Sequence, residues 1–186
     1  MSEKPNRLAR AADMANLTAG EIGKVTAAVS SRGAEVLSRE AKIEVPETIE
    51  ISKNLGIMEH ELTVGQLRQF VEESGYKIEG HNAEKLRAVL DDPSQAGKAV
   101  TFVHLHDGKA FAKWLSEKTG RKFRLPTEPE WEQGQAKGQL SGENWVWTET
   151  EISDTFVLRR SGLPYQNYSN PSYRFNGRAI VFVEDK

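Results

Sequence analysis

The 186-residue sequence predicts an α+β domain, on three observations. Three S/T-x-x-E/Q helix openings stand at Thr18, Thr63 and Thr127. Short runs alternate apolar with polar residues, as half-buried strands do. Helical segments come first and most short strands last, without the regular alternation of a βαβ repeat. A chain of this length makes one ordinary domain with an appendage, and can bury about 70% of its unfolded surface without a metal or disulfide.

Composition excludes several classes of function. There is no cysteine, hence no disulfide scaffold, zinc-thiolate site or thiol nucleophile. The 25 basic and 27 acidic residues leave a net charge of −2, too weak a field to argue for nucleic acid or an anionic membrane. Apolar runs last only a few residues, against the roughly 20 that a membrane span requires. The start, Met1-Ser2-Glu3-Lys4-Pro5-Asn6-Arg7, lacks the apolar core of a secretory signal. The expectation is a cytoplasmic protein with no membrane span and no nucleic-acid partner.

Residues 1 to about 40 differ from the rest. They are rich in Ala, Ser, Glu and Arg, and contain no aromatic residue. In Thr18-Ala19-Gly20-Glu21 the Thr18 hydroxyl can take the Glu21 amide while Glu21 reaches back. Ile22, Val25 and Val29 follow at helical spacing, with Val36 and Leu37 further on. This reads as an N-terminal helical extension over 1–40. Three roles stand open for it: an arm packed on its own domain, an oligomerising helix, or a partner-binding tail.

The domain proper spans 41–186. Ile43-Glu44-Val45 and Thr48-Ile49-Glu50-Ile51 alternate as strands do. Thr63-Val64-Gly65-Gln66 opens a helix that buries Leu67, Phe70 and Val71 and stops at Gly75. Asn82 caps a short helix carrying Leu86, Val89 and Leu90, which ends near Asp92-Pro93. Val100 to Leu105 reads as another strand. Asp107 caps a helix through Lys118 with Phe111, Trp114 and Leu115 on one face and Gly120 as its stop. Thr127-Glu128-Pro129-Glu130 opens a helix around Trp131. Strands are expected over Trp145–Thr148, Phe156–Leu158 and Ala179–Val183, joined by loops.

These residues carry a family resemblance. Glu61-Leu62-Thr63-Val64-Gly65-Gln66-Leu67-Arg68-Gln69-Phe70 resembles the "E-V-T-x-x-Q-Y-x-x-F" helix start of the formylglycine-generating-enzyme family, which has a C-type-lectin-like fold. Val100 to Leu115 resembles its "V-V-x-V-S-W-x-D-A-x-A-F-x-x-W-L", and Arg124-Leu125-Pro126-Thr127-Glu128-Pro129-Glu130-Trp131-Glu132 its "R-L-P-T-E-A-E-W-E". Trp145-Val146-Trp147-Thr148 is similar to "W-E-W-T", Val157 to Gly162 to "V-L-R-G-G-S", and the last strand to "G-F-R-L-V". The motifs keep the family order over roughly residues 45 to 184. The resemblance implies a compact C-type-lectin-like domain.

The departures bear on activity. The family's oxidases bind copper through paired cysteines, and with none here that activity has no ligand set. The long oxidase insert before "W-E-W-T" is reduced to Gln133–Asn144, and Glu149–Phe156 alone separate Thr148 from Val157. Family members can bind calcium near this loop, but Glu143 and Val146 stand at two of its positions, which counts against a calcium site. No cofactor and no metal site is expected.

Other clusters have ordinary explanations. His104 and His106 point the same way from a strand, as metal ligands would, but lack obvious further ligands in sequence. Glu128, Glu130 and Glu132 resemble paired catalytic carboxylates, yet sit where negative charge meets the positive end of a helix dipole. Trp114, Trp131, Trp145 and Trp147 could form a stacking platform, but the resemblance places most of them in the core.

The feature left over is the segment over about 163–177. It holds three of the four tyrosines and three asparagines with no periodicity. Tyrosine gives a large amphipathic contact at low entropy cost, and Ser and Asn give adaptable hydrogen bonds, the mixture used by antibody binding loops. The plainer reading is an irregular polar loop between two strands. The segment also resembles that of the variable proteins of diversity-generating retroelements, which use the same scaffold and diversify a C-terminal segment by adenine-directed mutagenesis.

The expected function is therefore non-catalytic binding, with a protein as ligand. Tyr165, Asn167, Tyr168, Ser169, Asn170, Ser172, Tyr173 and Asn176 are the expected contacts, supported from the sheet by Trp145, Trp147 and Arg159. Two alternatives remain open: a metal-dependent enzyme of the same superfamily using histidines, and an adaptor assembled through its N-terminal helices.

Overall fold

The computed structural model describes residues 43–138, 142–164 and 166–186. The helical extension over 1–40, its Thr18 capping box and the expected contact Tyr165 lie outside the described residues. Glu44–Lys186 form one compact unit, built on two four-stranded sheets.

The first sheet holds β1 (Thr48–Ser52), β2 (Leu55–Met58), β3 (Lys122–Arg124) and β8 (Val183–Asp185), in the order β1-β2-β8-β3, with every pair antiparallel. The second holds β4 (Trp145–Ile152), β5 (Thr155–Arg159), β6 (Asn167–Ser169) and β7 (Arg178–Ala179), in the order β6-β5-β4-β7. In it β4 pairs in parallel with β7 and antiparallel with β5. Four α-helices are described: α1 (Val64–Ser74), α2 (Ala83–Asp91), α3 (Leu105–Thr119) and α4 (Glu128–Ala136). This is the α+β arrangement that the helix and strand order predicts.

Local chemistry accounts for the helix ends. Both Thr63–Gln66 and Thr127–Glu130 form reciprocal capping boxes, as their spacing predicts. Gly75 and Gly120 stop α1 and α3 at φ +68° and +70°, a conformation that glycine alone adopts without a Cβ penalty. Asn82 precedes α2, but in the left-handed region and without capping it by its side chain. Its Nδ2 instead donates to the Arg174 carbonyl at 2.7 Å.

Several expectations are corrected. Val100 to His104 form no strand. Val100 and Val103 are fully buried, but Phe102 stands at φ +59°, which breaks any extended ladder, and Leu105 already belongs to α3. The cap of α3 is His104, not Asp107: the Nδ1 of His104 accepts the Asp107 amide at 3.0 Å, and Asp107 Oδ2 accepts the His104 amide at 2.9 Å. Ile43–Val45 lie outside the strands. The loop expected after Thr148 is largely β-hairpin. Its strands extend to Ile152 and Thr155 around Ser153-Asp154, both at positive φ, as a tight two-residue hairpin turn requires.

The final strand divides between the two sheets as β7 and β8. Between them Ile180, Val181 and Phe182 run through the core at 0–2% exposure. Ile180 and Phe182 carbonyls accept the Leu62 and Met58 amides at 2.8 and 2.9 Å, and the Phe182 ring stacks on Phe111 at 5.2 Å. Gly108 in α3 allows this passage: a Cβ there would lie 3.0 Å from Ile180 Cδ1 and 3.1 Å from Leu125 Cδ2. A chain threaded this way fixes where the preceding residues, 166–177, leave the core.

Candidate functional site

The C-terminal segment is tied down at several points. Asn167–Ser169 form β6, pairing Phe156↔Ser169, Val157↔Tyr168 and Leu158↔Asn167, where an irregular loop is expected. The Asn170 side chain accepts the Ser172 amide at 2.9 Å and its carbonyl accepts the Tyr173 amide at 3.2 Å, making a turn. The Pro171 carbonyl accepts the Leu105 amide at the start of α3. Gly177, at φ +74°, presents its carbonyl to the Trp145 amide at 2.7 Å.

The strongest tie is Arg174. Its side chain is fully buried, ion-paired through Nη1 with the fully buried Asp107 carboxylate, and donates from Nη2 to the Glu79 carbonyl at 3.1 Å. The Tyr76 hydroxyl donates to the other Asp107 oxygen at 2.9 Å. Burial pushes the Asp107 carboxyl up, but the hydrogen bonds from His104 and Arg174 outweigh it and hold the group below the usual carboxylate range. Burial and the Asp107 charge push the Tyr76 phenol far up, so it stays a neutral donor. This polar cluster fixes the backbone of the segment to α3 and the α1–α2 connection.

Around these anchors the flanking side chains face outward. Tyr168, Tyr173 and Phe175 are 46%, 49% and 41% exposed, and Asn167, Asn170, Ser172 and Asn176 are exposed too. Ser169 is the correction: at 6% exposure it packs inward from β6, so it is no surface contact.

Contacts sort the exposed groups into two clusters. In one, Tyr168 Oη accepts from Gln166 Nε2 at 2.9 Å, and Gln166 Oε1 accepts from Arg159 at 3.3 Å. Arg159 is held by Glu128 at 3.1 Å and Glu132 at 3.2 Å, over the Trp131 ring. In the other, Tyr173 and Phe175 lie 6.0 Å apart and each ring is 5.6 Å from His81. The Arg178 guanidinium lies 4.3 Å from the Phe175 ring centroid and 5.3 Å from that of Trp147, and donates to the Tyr173 carbonyl at 3.3 Å. Burial lowers the Arg178 pKa to about 10, leaving it charged at neutral pH.

Of the expected supports, Arg159 touches the segment directly. Trp147 is fully buried, donates to the Val103 carbonyl and carries Arg178 on its ring. Trp145 meets the segment through its backbone. Sequence reasoning missed Gln166, His81, Phe175 and Arg178. The first, third and fourth stand beside the expected residues, whereas His81 is brought in from before α2 and carries no local signal.

Other candidates find structural roles. His104 is spent as a helix cap, and Glu128, Glu130 and Glu132 pair with Arg159 and Arg124. No group of three or more His, Asp or Glu among the described residues could hold a metal ion. The residues do not fit the family's groups. Copper lacks its cysteines, and at one of the two calcium positions Val146 is a buried apolar side chain with no oxygen to offer. A groove of about 550 Å³ lies between α1 and α2, lined by Arg68, Val71, Tyr76, Ile78, Arg87 and Leu90 among others, with no described residue of the C-terminal segment in its lining. No helix among the described residues is long and apolar enough to cross a membrane.

Comparison with solved structures finds the same fold. PvdO from Pseudomonas aeruginosa is 17% identical, with a TM-score of 0.55 over 71% of this chain and 80% of that one. CarF is 13% identical, with a TM-score of 0.54 over 77% and 95%. Treponema denticola variable protein 1 is 14% identical, with a TM-score of 0.53 over 80% and 90%. Curated protein sequences give no match. The sulfatase-modifying factor enzyme 1-like domain matches residues 3–176. With its motifs in order and this C-type-lectin-like fold around them, the chain belongs to the sulfatase-modifying factor enzyme 1-like family.

Proposed function

We propose that this protein is a non-catalytic ligand-binding module whose C-terminal segment is the contact surface and whose ligand is a protein. We further assign it to the diversified variable proteins. One observation carries the reading: Arg174 locks the segment into the core while its neighbours Tyr173 and Phe175 project outward. A backbone held independently of its exposed side chains is what a surface needs if those side chains are to change without loss of the fold. Exposed aromatic, Asn and Ser groups without a deep enclosing cavity suit a flat protein epitope. The likeness to a variable protein is consistent with this reading.

The test is selection of binders from a displayed library against the full chain, followed by Tyr168→Ala and Tyr173→Ala. Each change should weaken binding at least tenfold, about 1.4 kcal/mol, while leaving the melting temperature nearly unchanged. A large stability loss, or binding that survives both changes, contradicts the reading. Stoichiometric iron or copper in the purified protein would favour a metal-dependent enzyme instead.

A further inference from the structure

Residues 155–183 contain four arginines and no aspartate or glutamate. Two of these arginines find carboxylates elsewhere in the fold, Arg159 on α4 and Arg174 on α3. Among the described residues, Arg160 and Arg178 find none. Arg121 and Arg124 also meet carboxylates, and the half-buried Arg68, which meets none among the described residues, gives two donors to the Leu90 and Asp92 carbonyls.

Arg178 is the more informative of the two. It sits inside the aromatic cluster, its guanidinium carbon over the Phe175 and Trp147 rings at 4.3 and 5.3 Å from their centroids, with one donor on the Tyr173 carbonyl. Rings cover guanidinium faces, whereas hydrogen bonds leave from its edge, where five N–H groups form a fork matched to a carboxylate. One contact to a carbonyl leaves most of that edge unused. Its charge is partly desolvated and lacks a counter-ion, a state in which an incoming carboxylate gains more than it would at an open surface.

We infer that Arg178, within the Tyr173–Phe175–His81 cluster, receives an Asp or Glu side chain of the protein ligand, flanked there by aromatic or apolar residues. This rests on the proposed binding function and names the chemistry of its partner. The acid-free stretch supplies the charge complementarity, and the exposed rings supply the apolar contact on either side.

The test uses two capped peptides, acetyl-Phe-Glu-Phe-amide and acetyl-Phe-Gln-Phe-amide, titrated into the full chain. The NMR signal of the Arg178 Nε–H is followed. The Glu peptide should shift it saturably and bind at least tenfold more tightly than the Gln peptide. Arg178→Gln should remove that preference. Arg178→Lys, which keeps the charge without the fork, should remove most of it and serves if the Gln variant does not fold. Equal binding of the two peptides, no saturable shift, or a preference that survives both variants overturns the inference. The two failures are distinguishable. Library binders that depend on Tyr173 but are no richer in Asp and Glu than the starting library would overturn the Arg178 assignment alone. Binders indifferent to both tyrosines would overturn the binding surface, and this inference with it.

Discussion

Arg174 and Asp107, 67 residues apart in sequence, form a fully buried ion pair that joins the C-terminal segment to the first turn of α3. Tyr76 and His104 donate further hydrogen bonds to Asp107, and the Glu79 carbonyl accepts one from Arg174, whose buried Nε has no partner among the described residues. Removing one partner of such a pair strands the other charge in the core.

Arg174→Met should therefore cost about 3–5 kcal/mol of unfolding free energy, measured by urea denaturation. Pairing it with Asp107→Leu should recover a substantial part, because no lone charge then remains buried. Near-wild-type stability of the single variant would mean the pair does not anchor the segment.

His104 distinguishes a structural histidine from a metal ligand. His104→Ala should destabilise by about 1 kcal/mol through loss of the helix cap, and His104→Asn should restore most of it. Bound metal in the purified protein should not differ among the three forms. Stability lost equally in both variants would contradict the capping role.

Glu61 sets a pH dependence opposite in sign to that of Asp107. It is 8% exposed, Asn144 donates to its Oε2 at 2.7 Å, and burial pushes its carboxyl up. A raised folded value means the native state binds the proton more tightly, so the Glu61 contribution falls as pH rises from about 4 through that value. Asp107, held down in the native state, contributes stability above its unfolded value near 4 and loses it as pH falls further. The stability of Glu61→Gln relative to wild type should thus improve between pH 4 and pH 7 in chemical denaturation. A difference that stays constant or reverses would show that Glu61 is not destabilised by its burial.

Much of the fold was legible because the signals are local. The boxes at Thr63 and Thr127 and the stops at Gly75 and Gly120 lie within one helical turn of the ends they set. Val100 to Leu105 misled because buried valines alternate there without a partner strand, and Phe102 turns the chain. Histidine is a rare cap, so His104 was hidden behind Asp107, its reciprocal partner. The division of the last strand depends on which sheet each half meets, which no window of sequence contains. In the candidate site the exposed tyrosines were readable from composition. The inward turn of Ser169 needed the β5 register, and Arg174 needed Asp107 from 67 residues away.

The most direct measurement is deep sequencing of the 3′ end of this gene across its source population. A diversified binding surface predicts substitutions concentrated at the exposed positions Asn167, Tyr168, Asn170, Ser172, Tyr173 and Asn176, with the buried Ser169 and Arg174 spared. A uniform or invariant 3′ end, or substitutions falling on Arg174 as often as on Tyr173, would contradict it.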